Sequence, residues 1–225
     1  AIIVEPAAGN MGVVPAQPGF LQGLRRIADR HGAVLVFDEV ISGFRLAKGG
    51  AQELSGIRPD LTCLGKVIGG GLPVGAYGGR ADLMEQLAPK GAVYQAGTLS
   101  GNPLAVAAGL ATLNLLETSP PYEKLERLGA RLEQGLRRAL GSRLGCVQRV
   151  GSLLTLFFGV ERVRDYDDAL KADTERFEKF FQAMLAEGFW LPPSQFEAWF
   201  LSTAHTEMEI DATIAAVARA LAASD

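Results

Sequence analysis

Ala33-Val34-Leu35-Val36-Phe37 is an unbroken apolar run, and it ends in two acids, Asp38-Glu39. A run this short, bounded upstream by His31-Gly32, reads as a buried strand. Acidic side chains delivered at the carboxyl end of a strand lie where α/β sheets bind their ligands. Working outward, Phe20, Leu21, Leu24, Ile27 and Ala28 recur at helical spacing after Pro18, and His31-Gly32 stops that helix. Ala1–Glu5 is a further β-rich run closed by Pro6, and Leu61–Leu64 is another, ending in Gly65-Lys66. Strand, helix, strand at this spacing predicts an α/β fold with a largely parallel sheet and flanking helices.

The character changes after Asn102. Pro103 suits a first helical turn, and Leu104–Leu116 is rich in Ala and Leu. Ser119-Pro120-Pro121 ends that helix, so we divide the chain into a first domain, 1–119, and a smaller C-terminal α+β domain, 120–225. The second should hold a helix over Tyr122–Leu140, strands at Cys146–Val150 and Ser152–Phe158, and an amphipathic helix over Tyr166–Glu187. A short strand near Trp199–Ser202 should follow. A last helix opens at Thr206, where Thr206 and Glu209 have capping-box spacing, with Ile210, Ile214, Val217 and Leu221 on its buried face.

Composition narrows the function classes. With 225 residues, 48% hydrophobic and 21% charged, the chain has a core-forming rather than a disordered composition. A formal charge of −3 argues against a nucleic-acid partner or an anionic membrane surface, and no apolar run reaches the roughly 20 residues of a membrane span. Cys63 and Cys146 are in no paired spacing, which argues against a disulfide framework or a metal site and for a reducing, cytoplasmic setting. The opening, Ala1-Ile2-Ile3-Val4, has no Met and no leader and reads as the middle of a strand, as if the sequence begins inside a domain.

Several familiar motifs fail. A phosphate loop ending at Lys66 would need Gly at 60 and Ser or Thr at 67, where Asp60 and Val67 stand. The dinucleotide fingerprint counted from Gly69 and Gly71 fails at Val74, and Gly97–Gly101 has Thr98 and Leu99 where a nucleophile elbow would centre its serine. His31 and His205 are isolated. What remains is a conjunction: Asp38 at one strand end, Lys66 at another followed by Gly69-Gly70-Gly71, and the stretch Gly97–Pro103. Burial of a strand-end lysine disfavours its charged form and frees the amine for Schiff-base chemistry, and an aspartate can keep a pyridine nitrogen protonated. Taken singly, each residue is as readily a cap, a turn or a solvated surface charge.

Together, these stretches resemble the fold-type I pyridoxal-phosphate enzymes, and among them the class III aminotransferases, over essentially the whole chain. Within that family, Val4–Pro15, Gly49–Glu53, Tyr94–Ala105 and Pro193–Ala198 are similar to an aminomutase branch. Ordinary transaminases of the family tend to carry Gly-Glu-Gly-Gly in place of Gly9-Asn10-Met11-Gly12, and Gly-Gly-Asn-Pro in place of Ser100-Gly101-Asn102-Pro103.

The resemblance implies pyridoxal 5′-phosphate and its pyridoxamine form as cofactor. Lys66 would hold the aldehyde and shuttle protons, and Asp38 would pair with the pyridinium nitrogen. Val40 would pack on a ring face and Asn10 would donate to the phenolic oxygen. Gly97 and Thr98 would contact the phosphate of a partner subunit's cofactor in a homodimer whose active site is shared across the interface. Glu197 would be a substrate-pocket carboxylate. The implied substrate is a small amino-acid semialdehyde whose amino group moves within one molecule. Residues 1–119 would then be the C-terminal part of the large cofactor-binding domain.

Two departures stand out. Trp199 occupies a position where many relatives carry glycine, and the family's upstream half, with its phosphate loop, ring-stacking aromatic and substrate-carboxylate contacts, is not in this sequence. The rival readings are an ω-amino-acid transaminase with a separate keto-acid acceptor, and a non-catalytic dimerisation or cofactor-binding remnant.

Overall fold

The computed structural model describes residues 1–223. In chain order its strands are β1 (Ile2–Val4), β2 (Ala7–Ala8), β3 (Val14–Pro15), β4 (Leu35–Asp38), β5 (Leu61–Gly65), β6 (Gly75–Gly79), β7 (Gly145–Val150), β8 (Leu153–Phe158) and β9 (Trp199–Phe200). Its helices are α1 (Phe20–His31), α2 (Gly50–Ser55), α3 (Ala81–Met84), α4 (Pro103–Thr118), α5 (Tyr122–Leu140), α6 (Tyr166–Ala169), α7 (Thr174–Ala186) and α8 (Glu207–Ala223). A 3₁₀ turn spans Lys66–Gly69. The chain forms two compact units, one of Ala1–Pro6 with Gln17–Pro120, the other of Ala7–Ala16 with the chain from Pro121 onward.

The first unit is built on a sheet of order β1-β4-β5-β6. β1, β4 and β5 run parallel, with Val4 beside Phe37 and Asp38 beside Cys63, and β6 closes the row antiparallel. β4 arises where the sequence placed it because Leu35 and Phe37 are both fully buried. α1 turns its Leu21 and Ala28 inward and ends at Gly32, whose left-handed φ of 61° lets its N–H reach back to the Ala28 carbonyl. β6 is a strand of Gly-Ala-Tyr-Gly-Gly that the sequence analysis did not predict; with so few side chains, pairing with β5 supplies the order.

One buried carboxylate ties this unit together. Asp60 Oδ2 accepts the Leu35 N–H at 2.7 Å and Arg25 Nη1 at 3.0 Å, while Oδ1 accepts Arg80 Nη1 at 3.0 Å. Burial pushes the Asp60 carboxyl up, but the Leu35 N–H and the Arg80 and Arg25 guanidiniums outweigh it and hold it below the usual carboxylate range.

The second unit is an antiparallel sheet, β7-β8-β9, with helices on one face and the β2–β3 hairpin on the other. β8 is buried along its whole length. Its Leu154, Leu156 and Phe158 join the main core with Leu128, Leu132 and Leu136 of α5, Phe180 and Met184 of α7, and Val217 and Leu221 of α8. Phe157, on the opposite face, packs with Val14, Cys146 and Val163, and burial there pushes the Cys146 thiol up to about 11. Trp199 is buried and stacks on Phe180 with ring centroids 6.5 Å apart, so its bulk is absorbed by the core.

The capping box forms as expected: Thr206 N–H donates to Glu209 Oε2 at 2.7 Å and Glu209 N–H to Thr206 Oγ1 at 3.3 Å. The single helix expected over 166–187 is two. Asp165 caps α6 through the Asp168 N–H and Asp173 caps α7 through the Arg176 N–H, while the Asp173 N–H donates to the Phe158 carbonyl. Aspartates that bond their own backbone compete with helix continuation, and here they win. Among the described residues no helix is long and apolar enough to cross a membrane.

Candidate active site

β4 and β5 are parallel neighbours, so their carboxyl ends lie at one edge of the sheet. Asp38 closes β4; it is half-buried, and its Oδ1 accepts the Val40 N–H at 3.0 Å. Its register partner is Cys63, whose thiol is pushed up by burial and by the Asp38 charge. Val40 follows on the same side: its Cγ1 would lie 3.3 Å from a Cβ at Gly65, so the glycine before Lys66 leaves room for this valine. Asp38, Val40 and Lys66 are thus gathered on adjacent strand ends.

Lys66 has a φ of +45° in the left-handed region, where its Cβ crowds the backbone. Side chains alternate along a strand, and this turn breaks the alternation just after Gly65. The strained turn is held from behind by α4. A Cβ at Gly70 would lie 2.6 Å from the Ala108 carbonyl oxygen, and one at Gly109 would strike the Ile68 carbonyl oxygen. The lysine is exposed, not buried as expected of a strand-end nucleophile: Gly70 and Gly71 carry no side chain to cover it, and the start of β6 beside it is open. It lines a cavity of about 600 Å³ with Arg45, Val67 and Gly71–Val74. Arg45 was not singled out from the sequence; it is brought there by a bend at Phe44, φ 58°, that no local pattern announces, and burial pushes its guanidinium down.

The larger cavity, about 720 Å³, is a different place. It is bounded by Glu39, Thr62, Leu64 and Gly78, and neither Asp38 nor Lys66 reaches it. Glu39 is fully buried and has a structural task there. Its Oε2 accepts Ser42 Oγ at 2.8 Å and the Ala51 N–H at 2.6 Å, and its Oε1 accepts the Gln52 N–H and side-chain amide at 3.0 Å each. The second acid of the motif anchors the start of α2, while Asp38 turns to the Val40 N–H.

Gly97 and Thr98 are exposed in a turn before α4 and do not line the Lys66 cavity. The turn is closed by Asn102, which donates to the Leu99 carbonyl and caps α4 through the Ala105 N–H. Asn10 and Glu197 belong to the second unit, where both are exposed on adjoining loops: the Gly12 N–H donates to the Phe196 carbonyl at 2.7 Å. The loop of Glu197 is pinned to β8 by Gln195, buried at 2% exposure, which donates to the Leu156 carbonyl at 2.9 Å and accepts the Phe158 N–H at 3.4 Å.

Asp38 and Val40 do not line the Lys66 cavity, but an amine and a half-buried carboxylate at the ends of two neighbouring parallel strands, with a valine on one of them, are the groups that suit a flat pyridine aldehyde. Lys66 could hold its carbonyl carbon, Asp38 its ring nitrogen and Val40 a ring face.

Comparison with known proteins agrees with a lysine-bearing α/β fold of this class. The aminotransferase class-III family profile matches residues 1–220, and the chain belongs to that family. It is 62% identical over 99% of its length to a glutamate-1-semialdehyde 2,1-aminomutase of Thermomicrobium roseum, covering 52% of that protein. Among solved structures, an omega-transaminase from Sphaerobacter thermophilus superposes with a TM-score of 0.90 at 36% identity, over 100% of this chain and 52% of that one. A glutamate-1-semialdehyde aminomutase from Pseudomonas aeruginosa PAO1 superposes with a TM-score of 0.88 at 28% identity, over 100% and 52%. The chain therefore spans about half the length of the curated relatives it matches.

Proposed function

We propose that this chain contributes the lysine-bearing part of a pyridoxal-phosphate-dependent glutamate-1-semialdehyde 2,1-aminomutase, an isomerase of porphyrin biosynthesis that forms 5-aminolevulinate. The observation that supports the reading is that Asp38 ends β4 and Lys66 directly follows β5, its parallel neighbour, with Val40 close to Gly65. Relatives at 57–62% identity named as such aminomutases favour this substrate over that of a general transaminase.

Pyridoxal phosphate, when bound, supplies an aldehyde that captures amines and a ring that accepts electron density. Lys66 would hold the aldehyde carbon, and its amine would serve as the acid and base that moves protons at the substrate carbons. Asp38 holds the proton on the ring nitrogen. Asn10 donates to the phenolic oxygen, and Glu197 meets the substrate. Gly97 and Thr98, outside the Lys66 cavity, serve the phosphate of a partner subunit in a homodimer. Residues 1–119, apart from the Ala7–Ala16 segment that joins the second unit, act as the C-terminal part of a large cofactor-binding domain and 120–225 as a small one. Two free cysteines suit a reducing cytoplasm.

The omega-transaminase likeness supports a second reading, in which the same Lys66 and Asp38 serve a separate keto acid. Supplying the holoprotein with glutamate-1-semialdehyde alone decides between them. The proposed enzyme turns over to 5-aminolevulinate without any keto acid, and a transaminase stalls after one half-reaction. Borohydride reduction should fix pyridoxal phosphate to Lys66 and leave Lys66→Ala unlabelled; a label that persists in the variant would overturn the assignment.

A further inference from the structure

Two polar groups assigned to the site, Asn10 and Glu197, come from opposite ends of the sequence and sit on loops with no regular structure of their own. What fixes them is a residue outside every motif. Thr155 lies in the middle of β8 at 1% exposure, in a strand otherwise made of leucine and phenylalanine. A hydroxyl there needs partners, and it finds one on each loop. Thr155 Oγ1 accepts the Val13 N–H at 2.9 Å, and its hydrogen is shared between the Leu154 carbonyl at 2.9 Å and the Glu197 carbonyl at 3.4 Å.

The methyl group matters as well. Gly12, at φ +74°, passes so close that a Cβ would lie 3.1 Å from Thr155 Cγ2 and closer still to the Phe157 ring. From that position the Gly12 N–H reaches the Phe196 carbonyl at 2.7 Å. The two loops are therefore bonded to each other and to a single side chain beneath them.

We propose that Thr155 is a positioning residue: its hydroxyl couples the loop of Asn10 to the loop of Glu197, so that the two polar groups are presented as one rigid pair. The inference rests on the roles proposed above for Asn10 and Glu197. Valine at 155 keeps the shape and the strand preference but leaves the Val13 N–H without its acceptor, while serine keeps the hydroxyl.

Amide hydrogen exchange on the pyridoxal-phosphate-loaded protein, read in peptides over 9–13 and 194–198, is the test. Thr155→Val should speed exchange in both loops by about tenfold and leave β7 and α5 unchanged, and Thr155→Ser should hold both loops near the wild-type rate. The pH at which the bound cofactor's visible band changes should move by about half a unit in the valine variant, because Asn10 no longer meets the phenolic oxygen squarely. Exchange that rises in one loop only, or across the whole unit, or a band midpoint that stays put, would overturn the proposal. Failure of the functional reading is seen elsewhere, as a protein that binds no pyridoxal phosphate at Lys66.

Discussion

At the scale of single residues, the first unit depends most on Asp60. Its two oxygens serve a backbone N–H of β4 and guanidiniums from α1 and from the end of β6, so one side chain joins three elements. Asp60→Asn removes the charge that both arginines face and should cost about 2 kcal/mol, as for a hydrogen-bonded buried charge. The pH dependence follows from the direction of its shift. Because Asp60 titrates below an unfolded carboxyl, its contribution is complete above a pH of about 4 and fades as acid carries the protein down through the folded value. Denaturant titrations of wild type and Asp60→Asn should therefore differ most near neutrality and converge as the pH is lowered from 4 towards 2. An equal gap at all pH values would mean that packing, not charge, carries the effect. Nothing in the sequence announced this residue; Asp60 follows Arg58-Pro59 and looks like any turn acid.

At the scale of elements, legibility tracked side-chain content. β4, α1, α5, β8 and α8 could be read because an apolar period or a cap is written in their residues, down to the Thr206–Glu209 pair. β6 could not, since a strand of three glycines, an alanine and a tyrosine has no alternation to read. α2 was equally silent, because its start is set by Glu39, eleven residues upstream of Gly50, in a contact only the fold creates. Lys66 and Asp38 were legible as strand-end residues, but the turn that aims the lysine depends on α4. That dependence can be tested at Gly109. Alanine there should favour the helix by about 1 kcal/mol over glycine. Its Cβ, however, would strike the Ile68 carbonyl, and overpacking of this kind costs about 1–3 kcal/mol. The clash should win. Gly109→Ala should lower the unfolding midpoint and weaken retention of pyridoxal phosphate on dialysis; a stabilised variant with full retention would show that α4 does not brace the Lys66 turn.

At the scale of the molecule, the proposed site residues fall in both units. The first unit carries Asp38, Val40 and Lys66 at the ends of neighbouring strands, and the second carries Asn10 and Glu197 on adjoining loops, although only the resemblance to known enzymes had linked the last two. What neither pattern nor composition could set is which apolar surface the fold leaves uncovered. α4 bears on this directly. It buries Ala105 and Gly109 against the rest of its unit, yet Leu104, Leu110 and Leu115 on its other sides are 75%, 57% and 65% exposed. A helix apolar all round is one that is covered on all sides in its working state. Tyr94 at 83% and Leu99 at 68% extend the patch into the turn that holds Gly97 and Thr98, the residues proposed to serve a partner's cofactor. The second copy of the chain proposed above would cover this face and bring that turn to another active site in the same act. Sedimentation of the protein should show a dimer, and the double substitution Leu104→Glu with Leu110→Glu should raise the dimer dissociation constant at least about tenfold, since each leucine withdrawn from burial is worth on the order of 1.5–3 kcal/mol. Cofactor retention should fall in step with dimer content as the protein is diluted. A variant that stays dimeric, or a monomer that keeps its cofactor undiminished, would separate the apolar face of α4 from both the interface and the phosphate contact.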